Sequence, residues 1–505
     1  AMLNRLDGDE ILSRITDKRH QDAVRALGLI PLSKKNSVAK KEMLDRYKQI
    51  QEFKRESRKF GSQRQASEGK SVAIAMQNLA RTAGFRDPRR LQWAMESQAV
   101  TDLAKGPVVI TVEETSVSLS ITEAGEPELA VMKNGKKLKN VPAKLRKNDE
   151  IAPLRSRVTE LRRQRSRMRV SLEESMCRGD EFSRSELKEF VAHPILKPMI
   201  ERLVFIGNGK LIGYPERSGQ LLRNFDGTVE PIGNSDKLRL AHPTDLLKAG
   251  DWSEWQRDCF NAERIQPFKQ VFREVYPKTK SELDQCDMTP RYAGHQVNPR
   301  QALSLLKGRQ WIHSPEGGVR RVYHDEKLIA ELWFQEHFYT PAEVEGLTLE
   351  GVSFIGKGNK AERVTMNEIP DRVFSEAMRD LDLVVSVAHA GGVDPEASAS
   401  TVEMRASLLG ETCMLLGLNN VQVKDHHAII DGTRATYSVH LGSASTTVLP
   451  GKAMFIVAVH SQHRGRIFLP FADDDPKSAE VLSKVLLLAR DDEIKDPYIL
   501  DQIRA

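Results

Sequence analysis

Cysteine is scarce in this chain. Only Cys177, Cys259, Cys286 and Cys413 occur in 505 residues, and no two lie at a Cys-x-x-Cys spacing. A zinc knuckle built on cysteines is therefore not expected, and the sparse thiols fit a reduced, cytoplasmic setting. Long apolar runs are missing too. None reaches the roughly 18–20 residues that a membrane helix needs, so no membrane partner is expected. The first turns carry Asp7, Asp9, Glu10 and Asp17 among their apolar residues, which is unlike a secretory signal. Ala1-Met2 reads as a start placed within a longer chain, of which this would be the C-terminal part. There is no Walker A sequence, no HExxH pair and no GxSxG elbow. No internal repeat or low-complexity tract stands out.

What remains is a chain of 40% hydrophobic and 29% charged residues, the balance of a soluble globular protein, long enough for two to four domains. The net charge of +6 is modest but unevenly placed. Residues 133–169 hold 14 Lys and Arg against Asp149, Glu150 and Glu160, about +11 in 37 residues. A basic block on a near-neutral background points to an acidic partner.

Periodicity predicts an α+β multidomain chain. Residues 1–105 read as a helical array, with Leu44, Tyr47 and Ile50 at helical spacing and Ser67 as an N-cap. Residues 106–140 read as a small β-meander turning at Ala124-Gly125 and Asn134-Gly135. Residues 141–205 carry a long basic helix, striped by Val158, Leu161, Met168 and Leu172, and then a helical hairpin that opens on Ser183 to Glu186. Residues 206–345 are mixed α+β. There a helix at Trp252 leads into Ile265–Tyr276, whose aromatics recur at helical spacing and belong to the core. Residues 346–505 read as a C-terminal mixed α/β sheet domain. Leu383–Val387 and Ala453–Val459 are expected there as buried strands, and Asp431-Gly432 as a hairpin turn.

The stretch 460–476 holds the densest set of functional groups. His460 and His463 with Asp473 or Asp474 could ligate a metal ion, although no cofactor follows from the sequence. Arg464 and Arg466, with those histidines, could instead hold a phosphate or carboxylate. A third reading is structural: Asp475 caps the following helix and Pro476 occupies its first position. The second candidate is the basic helix. Its Arg155, Arg162, Arg163, Arg165, Arg167 and Arg169 could contact a phosphate backbone or an acidic protein surface, or form a solvated face. The block has no aromatic residue, which argues against reading single-stranded bases. Gly356-Lys357-Gly358 fits a hairpin turn better than a dinucleotide fingerprint, because no clear apolar helix follows. Tyr437, Ser438 and His440 lie beside a glycine turn, where strand packing and a nucleotide pocket are both open.

Several passages together carry a resemblance: Leu138–Lys147 into the Arg-rich helix, Ile265–Tyr276, Val373–Val387, Tyr437–Ser443, and Val459–Lys484 with Lys495-Asp496-Pro497. From about Leu44 onward the chain resembles the C-terminal core of the bacterial molybdate-metabolism-regulator-like (MolR-like, WGR-associated) family of unknown function. The resemblance implies no catalytic residue. It implies association with a MoxR-type ATPase and a von Willebrand A protein. Relatives often add a WGR module, but no Trp-Gly-Arg occurs here, so a DNA role borrowed from that module does not carry over. Two functions are therefore expected. One is a non-enzymatic interaction core that uses residues 133–169. The other is an enzyme or ligand sensor with an anion or metal site at 460–476.

Overall fold

The computed structural model describes residues 8–98, 100–208, 211–284, 287–314, 318–356, 362–389, 399–456, 468–473 and 475–504. It is a multidomain α+β protein of many helices and several small antiparallel sheets. Two compact units are woven from it: residues 1–171 with 185–201, and residues 172–184 with 202–505.

The first unit begins with helices Gly8–Thr16, Gln21–Leu27, Asn36–Glu56, Ser62–Thr82 and Pro88–Gln98. Their core is Ile11, Val24, Ile50, Phe53, Val72 and Leu79 with their neighbours. The fourth helix starts at Ser62, five residues before the expected cap at Ser67, and the chain leaves it through Gly84 at φ +78°. Asp87 then caps the fifth, accepting from the backbone N–H of Arg89 and of Arg90 at 2.9 Å each. The meander follows as strands Val108–Val112, Thr115–Ile121, Pro127–Lys133 and Lys136–Leu138, paired in sequence order. Asn134 and Gly135 both take positive φ, the backbone of the tight hairpin turn that this dipeptide favours. Helix Ile151–Arg178 buries Val158, Leu161 and Met168 as expected, and the chain passes from one unit to the other within it.

Among its described residues the second unit contains three antiparallel sheets. In one, strand Glu181–Ser183 pairs with Lys237–Leu240. A second is built on the long strand Leu347–Gly356, which pairs with Leu328–Phe334 on one side and with Arg363–Val364, among others, on the other. That last pairing fits a hairpin at Gly356, though residues 357–361 lie outside the described residues. The third sheet runs Val421–Lys424, His427–Asp431, Thr436–His440, Thr446–Val448, Lys452–Met454. Its Asp431-Gly432 hairpin forms as expected. The turn is held by Asp491, whose carboxylate accepts from Thr433 N–H at 2.9 Å and Arg434 N–H at 2.7 Å.

Three sequence expectations are corrected here. Leu383–Val387 is not a strand but the end of helix Asp371–Ala388, which also buries Val373, Phe374, Ala377, Met378 and Leu381. A short, mostly apolar run cannot by itself distinguish a strand from a buried helix turn. Of Ala453–Val459, residues 457–459 lie outside the described residues, and the described part is not a central strand: strand Lys452–Met454 lies at the end of its sheet, and Phe455 N–H turns instead to the Gln502 side chain at 2.7 Å. Ile265–Tyr276 is core but not helical: Phe268, Phe272 and Tyr276 are buried in a chain of turns and extended segments. Two fully buried glutamines replace the missing helical bonds. Gln270 accepts from Val204 N–H and donates to the carbonyls of Val204 and Ala241, while Gln266 forms a backbone bridge to Phe471. Buried backbone groups need partners, and these amides supply them without regular secondary structure.

Candidate functional site

In the first unit the basic block divides into paired and unpaired cations. Arg157 grips Asp102 with both guanidinium nitrogens at 2.6 Å. Arg165 reaches Glu126 in the meander at 2.7 Å. Arg167 bridges Glu160 at 3.1 Å and the nearly buried Glu96 at 2.9 Å. Burial raises the Glu96 carboxyl pKa, and Arg167, Gln92 and Tyr47 only partly oppose it. These three arginines therefore hold the unit together. Arg169 is half-buried.

Arg155, Arg162 and Arg163 differ. All three are exposed. Arg155 donates to the Arg146 carbonyl, and Arg163 lies 3.8 Å from Glu160, the longest ion pair on the helix. Arg162 has no ion pair among the described residues. Arg155 and Arg162 are seven residues apart, which puts them in line on one face about 10 Å apart, with Thr159 and Ser166 exposed between and beyond them. Lys133, Lys136, Lys139, Lys144, Arg146 and Lys147 of the preceding hairpin and loop are exposed too.

In the second unit, helix Asp371–Ala388 carries a buried charge network through its core. Arg273, 3% exposed, forks onto Glu376, 2% exposed, at 2.7 and 2.8 Å. Arg273 also reaches Glu173 at 2.8 Å and the Cys177 sulfur at 3.2 Å, and His242 Nε2 lies 3.1 Å from Glu376. Burial alone would raise the Glu376 carboxyl pKa, but Arg273 and His242 outweigh it and hold the group well below the usual carboxylate range. One turn on, Asp380 takes Arg321 at 2.5 Å and the Trp311 indole N–H at 2.8 Å. Sequence reading missed this network. Its only trace was charged residues inside two apolar passages, Lys269, Arg273 and Glu274 in one and Glu376, Arg379, Asp380 and Asp382 in the other.

The network borders a cleft of about 960 Å³. One wall is a single face of the same helix: Arg379, Asp382, Leu383, Ser386 and Val387 follow at steps of three, four, seven and eight. Thr401 and Arg405 come from helix Ala399–Leu415, and Asp475 and Lys477 from the start of helix Pro476–Ala489. His427 and His440 face each other across paired strands, with ring centres 4.8 Å apart. Within the cleft Lys269 binds Glu274 at 3.2 Å and Asp475 at 2.6 Å, and Arg379 binds Glu274 at 2.9 Å. Burial would raise the Glu274 and Asp475 carboxyls, but these cations outweigh it and hold both down.

Asp475 is the helix cap that the sequence suggested: its side chain accepts from Ser478 N–H at 3.0 Å, with Pro476 next. Asp473 accepts from Lys269 N–H at 2.8 Å. His460, His463, Arg464, Arg466 and Asp474 lie outside the described residues. His440 does line the cleft. Its Nδ1 accepts from Ser443 N–H at 3.0 Å, which puts the proton of the neutral ring on Nε2. The same nitrogen contacts the Ser443 hydroxyl at 2.9 Å, so this His–Ser pair completes a local turn. Tyr437 and Ser438, by contrast, are buried strand residues, and the Tyr437 hydroxyl donates to Asp491 at 2.8 Å. Among the described residues no group of three or more His, Cys, Asp or Glu could hold a metal ion. Cys177, Cys259 and Cys413 are buried free thiols. No described helix is long and apolar enough to cross a membrane.

No curated protein and no solved structure matches the chain. Family models match three stretches, each under half of its length: residues 1–95 a family of unknown function (DUF5724), residues 135–311 a domain of unknown function (DUF4132), and residues 402–503 a domain of unknown function (DUF7737).

Proposed function

We propose that the first unit binds the phosphate backbone of duplex nucleic acid through its exposed basic face. The observation that carries this reading is the division of the block. Arg157, Arg165 and Arg167 are engaged by acids of the same unit, whereas Arg155 and Arg162 stand in line on the open side of the helix with neither in an ion pair among the described residues. Guanidinium forks beside the hydroxyl of Ser166 suit phosphate oxygens. The face has no aromatic residue between positions 133 and 169, so it lacks both stacking groups for single strands and the aromatic anchors common in protein interfaces. Binding of this kind is independent of sequence and sensitive to salt. The MolR-like resemblance, with its MoxR-type ATPase and von Willebrand A associations, supports a protein of the interaction class, and an acidic protein surface is the competing partner.

The test is a titration of duplex DNA and duplex RNA over a range of salt, beside the triple variant Arg155→Ala, Arg162→Ala, Arg163→Ala. Three lost phosphate contacts should lower the slope of log K against log salt on DNA by about 2.7, at about 0.9 per contact. Absence of binding at low salt, or a variant that binds like the wild type, overturns the proposal.

A further inference from the structure

The cleft in the second unit has its own charge logic, separate from the basic face. Five cations line it (Lys269, Arg309, Arg379, Arg405 and Lys477) against the carboxylates of Glu274, Asp382 and Asp475. Lys269 and one edge of Arg379 already neutralise Glu274 and Asp475. Arg309 is paired with Asp380 at 3.1 Å and Lys477 with Glu480 at 3.0 Å, which leaves the surplus of donors on Arg379 and Arg405.

Arg405 is the clearest case. It is 8% exposed, and among the described residues no carboxylate lies within ion-pair distance of it. Instead its Nη1 donates to the carbonyls of Leu441 and Gly442 at 2.8 Å each, and its Nε to the Ser478 hydroxyl at 3.2 Å. That fixes the plane of the fork and leaves Nη2 with no acceptor among the described residues. Asp475 and Glu274 act on it only from further away, and burial outweighs them, so its pKa is lowered. Burying a guanidinium without a counter-charge is costly, and such an arrangement is retained where an anion completes it. Arg379 has a counter-charge but also spare donors: its Nε is bound to Glu274 at 2.9 Å, and its two terminal nitrogens have no acceptor among the described residues. The rim adds the hydroxyls of Ser443 and Ser445, 2.9 Å apart, and the amine of Lys477.

We propose that this cleft binds a phosphate-bearing small molecule of about nucleotide size, with Arg379 and Arg405 as its phosphate clamp. Fixed guanidinium forks, a half-exposed lysine and hydroxyls beside them are the donor set that phosphate oxygens take. A volume of about 960 Å³ is at the upper end of small-molecule sites, more than a lone phosphate fills. His427 and His440, with ring centres 4.8 Å apart and planes tilted by 60°, line the part of the cleft where the rest of the ligand would lie.

The experiment is isothermal titration of the full chain with pyrophosphate and with ATP at low salt, and citrate as the control polyanion. It is run in the Arg155→Ala, Arg162→Ala, Arg163→Ala background, so that the basic face contributes nothing and failure here leaves the nucleic-acid proposal standing. Binding of pyrophosphate or ATP is expected, at least tenfold tighter than citrate. Arg405→Gln should weaken it at least tenfold. Because Arg405 also ties down Leu441 and Gly442, Lys477→Gln is the second variant: its side chain is 45% exposed, and its loss should weaken binding about threefold with the thermal melt unchanged. Three results overturn the proposal: no binding of either phosphate compound at millimolar concentration, citrate binding as tightly, or binding that Lys477→Gln leaves unaltered.

Discussion

The Arg273–Glu376 pair allows a quantitative test of how the second unit is held together. Both side chains are almost wholly buried, at 3% and 2%, and they share two hydrogen bonds in the bidentate geometry of a guanidinium on a carboxylate. Removing one partner of such a pair leaves a charge in a poorly solvated interior, which costs about 3–5 kcal/mol. Here the lower end applies. Glu376→Gln leaves Arg273 with Glu173, whose side chain is 30% exposed, and Arg273→Met leaves Glu376 with His242. Each single variant should therefore lose about 3 kcal/mol. The double variant, Arg273→Met with Glu376→Gln, removes both charges together and should lose only about 2 kcal/mol. The coupling energy is then about 4 kcal/mol, from 3 plus 3 less 2. Urea unfolding followed by tryptophan fluorescence reads this directly, since Trp252, Trp255, Trp311 and Trp333 lie in the second unit and only Trp93 in the first. A double variant that loses the sum of the singles, with coupling under about 1 kcal/mol, would refute the idea that the two charges compensate each other.

Acid should weaken the same unit. The carboxyl of Glu376 is buried and those of Glu173 and Asp475 are partly so, which alone would raise them, but Arg273 and Lys269 outweigh this and depress all three. A depressed carboxyl contributes stability above its unfolded pKa near 4, and that stability is lost as pH falls toward the folded value. Burial also lowers the pKa of His242, so its contribution is present above about pH 6.5 and fades below it. Urea midpoints by tryptophan fluorescence should therefore fall from pH 7 to pH 5 and more steeply below pH 4.5, and a flat profile down to pH 4 would contradict the assignment. In the first unit, Gly28→Ala would place a methyl group 2.4 Å from the Ala75 carbonyl and 2.8 Å from the Leu79 nitrogen, where helix Gln21–Leu27 meets helix Ser62–Thr82. Forced separation of the two helices should cost about 1–3 kcal/mol, seen as a lower melting midpoint for the helical signal.

Those elements whose signal is local were legible in the sequence. The helical start, the meander with its Asn134-Gly135 turn, the striped basic helix, the Asp431-Gly432 hairpin and the Asp475 cap follow from periodicity or turn chemistry within a few residues. The failures share a cause. Leu383–Val387 is the last part of a helix whose period shows only over its full 18 residues, so this short run, with Ser386 and Val387 exposed, shows no period of its own. Ile265–Tyr276 is shaped by Gln266 and Gln270, whose partners at Val204, Ala241 and Phe471 lie 29 to more than 200 positions away. The cleft was hidden for the same reason. Arg379, Arg405, Lys269 and Asp475 come from separate segments, and each by itself reads as an ordinary surface charge. His440 and Asp475 were noticed, but nothing local connects them with Arg405.

The interleaving of the two units has a consequence for how this chain can be made and taken apart. The first unit includes residues 185–201, which come after a segment, 172–184, that belongs to the second. Within that segment, strand Glu181–Ser183 finds its partner only at Lys237–Leu240. During synthesis the first unit therefore cannot close until residue 201 has emerged, and by then the second unit's edge strand is already out and unpaired. No single cut yields two whole units: cleavage after residue 171 removes a piece of the first, and cleavage after residue 201 leaves a piece of the second behind. Fragments of this protein should behave worse than the intact chain on either side of any one boundary, and the smallest autonomous form of the second unit would have to begin near residue 172 and carry residues 185–201 as passengers.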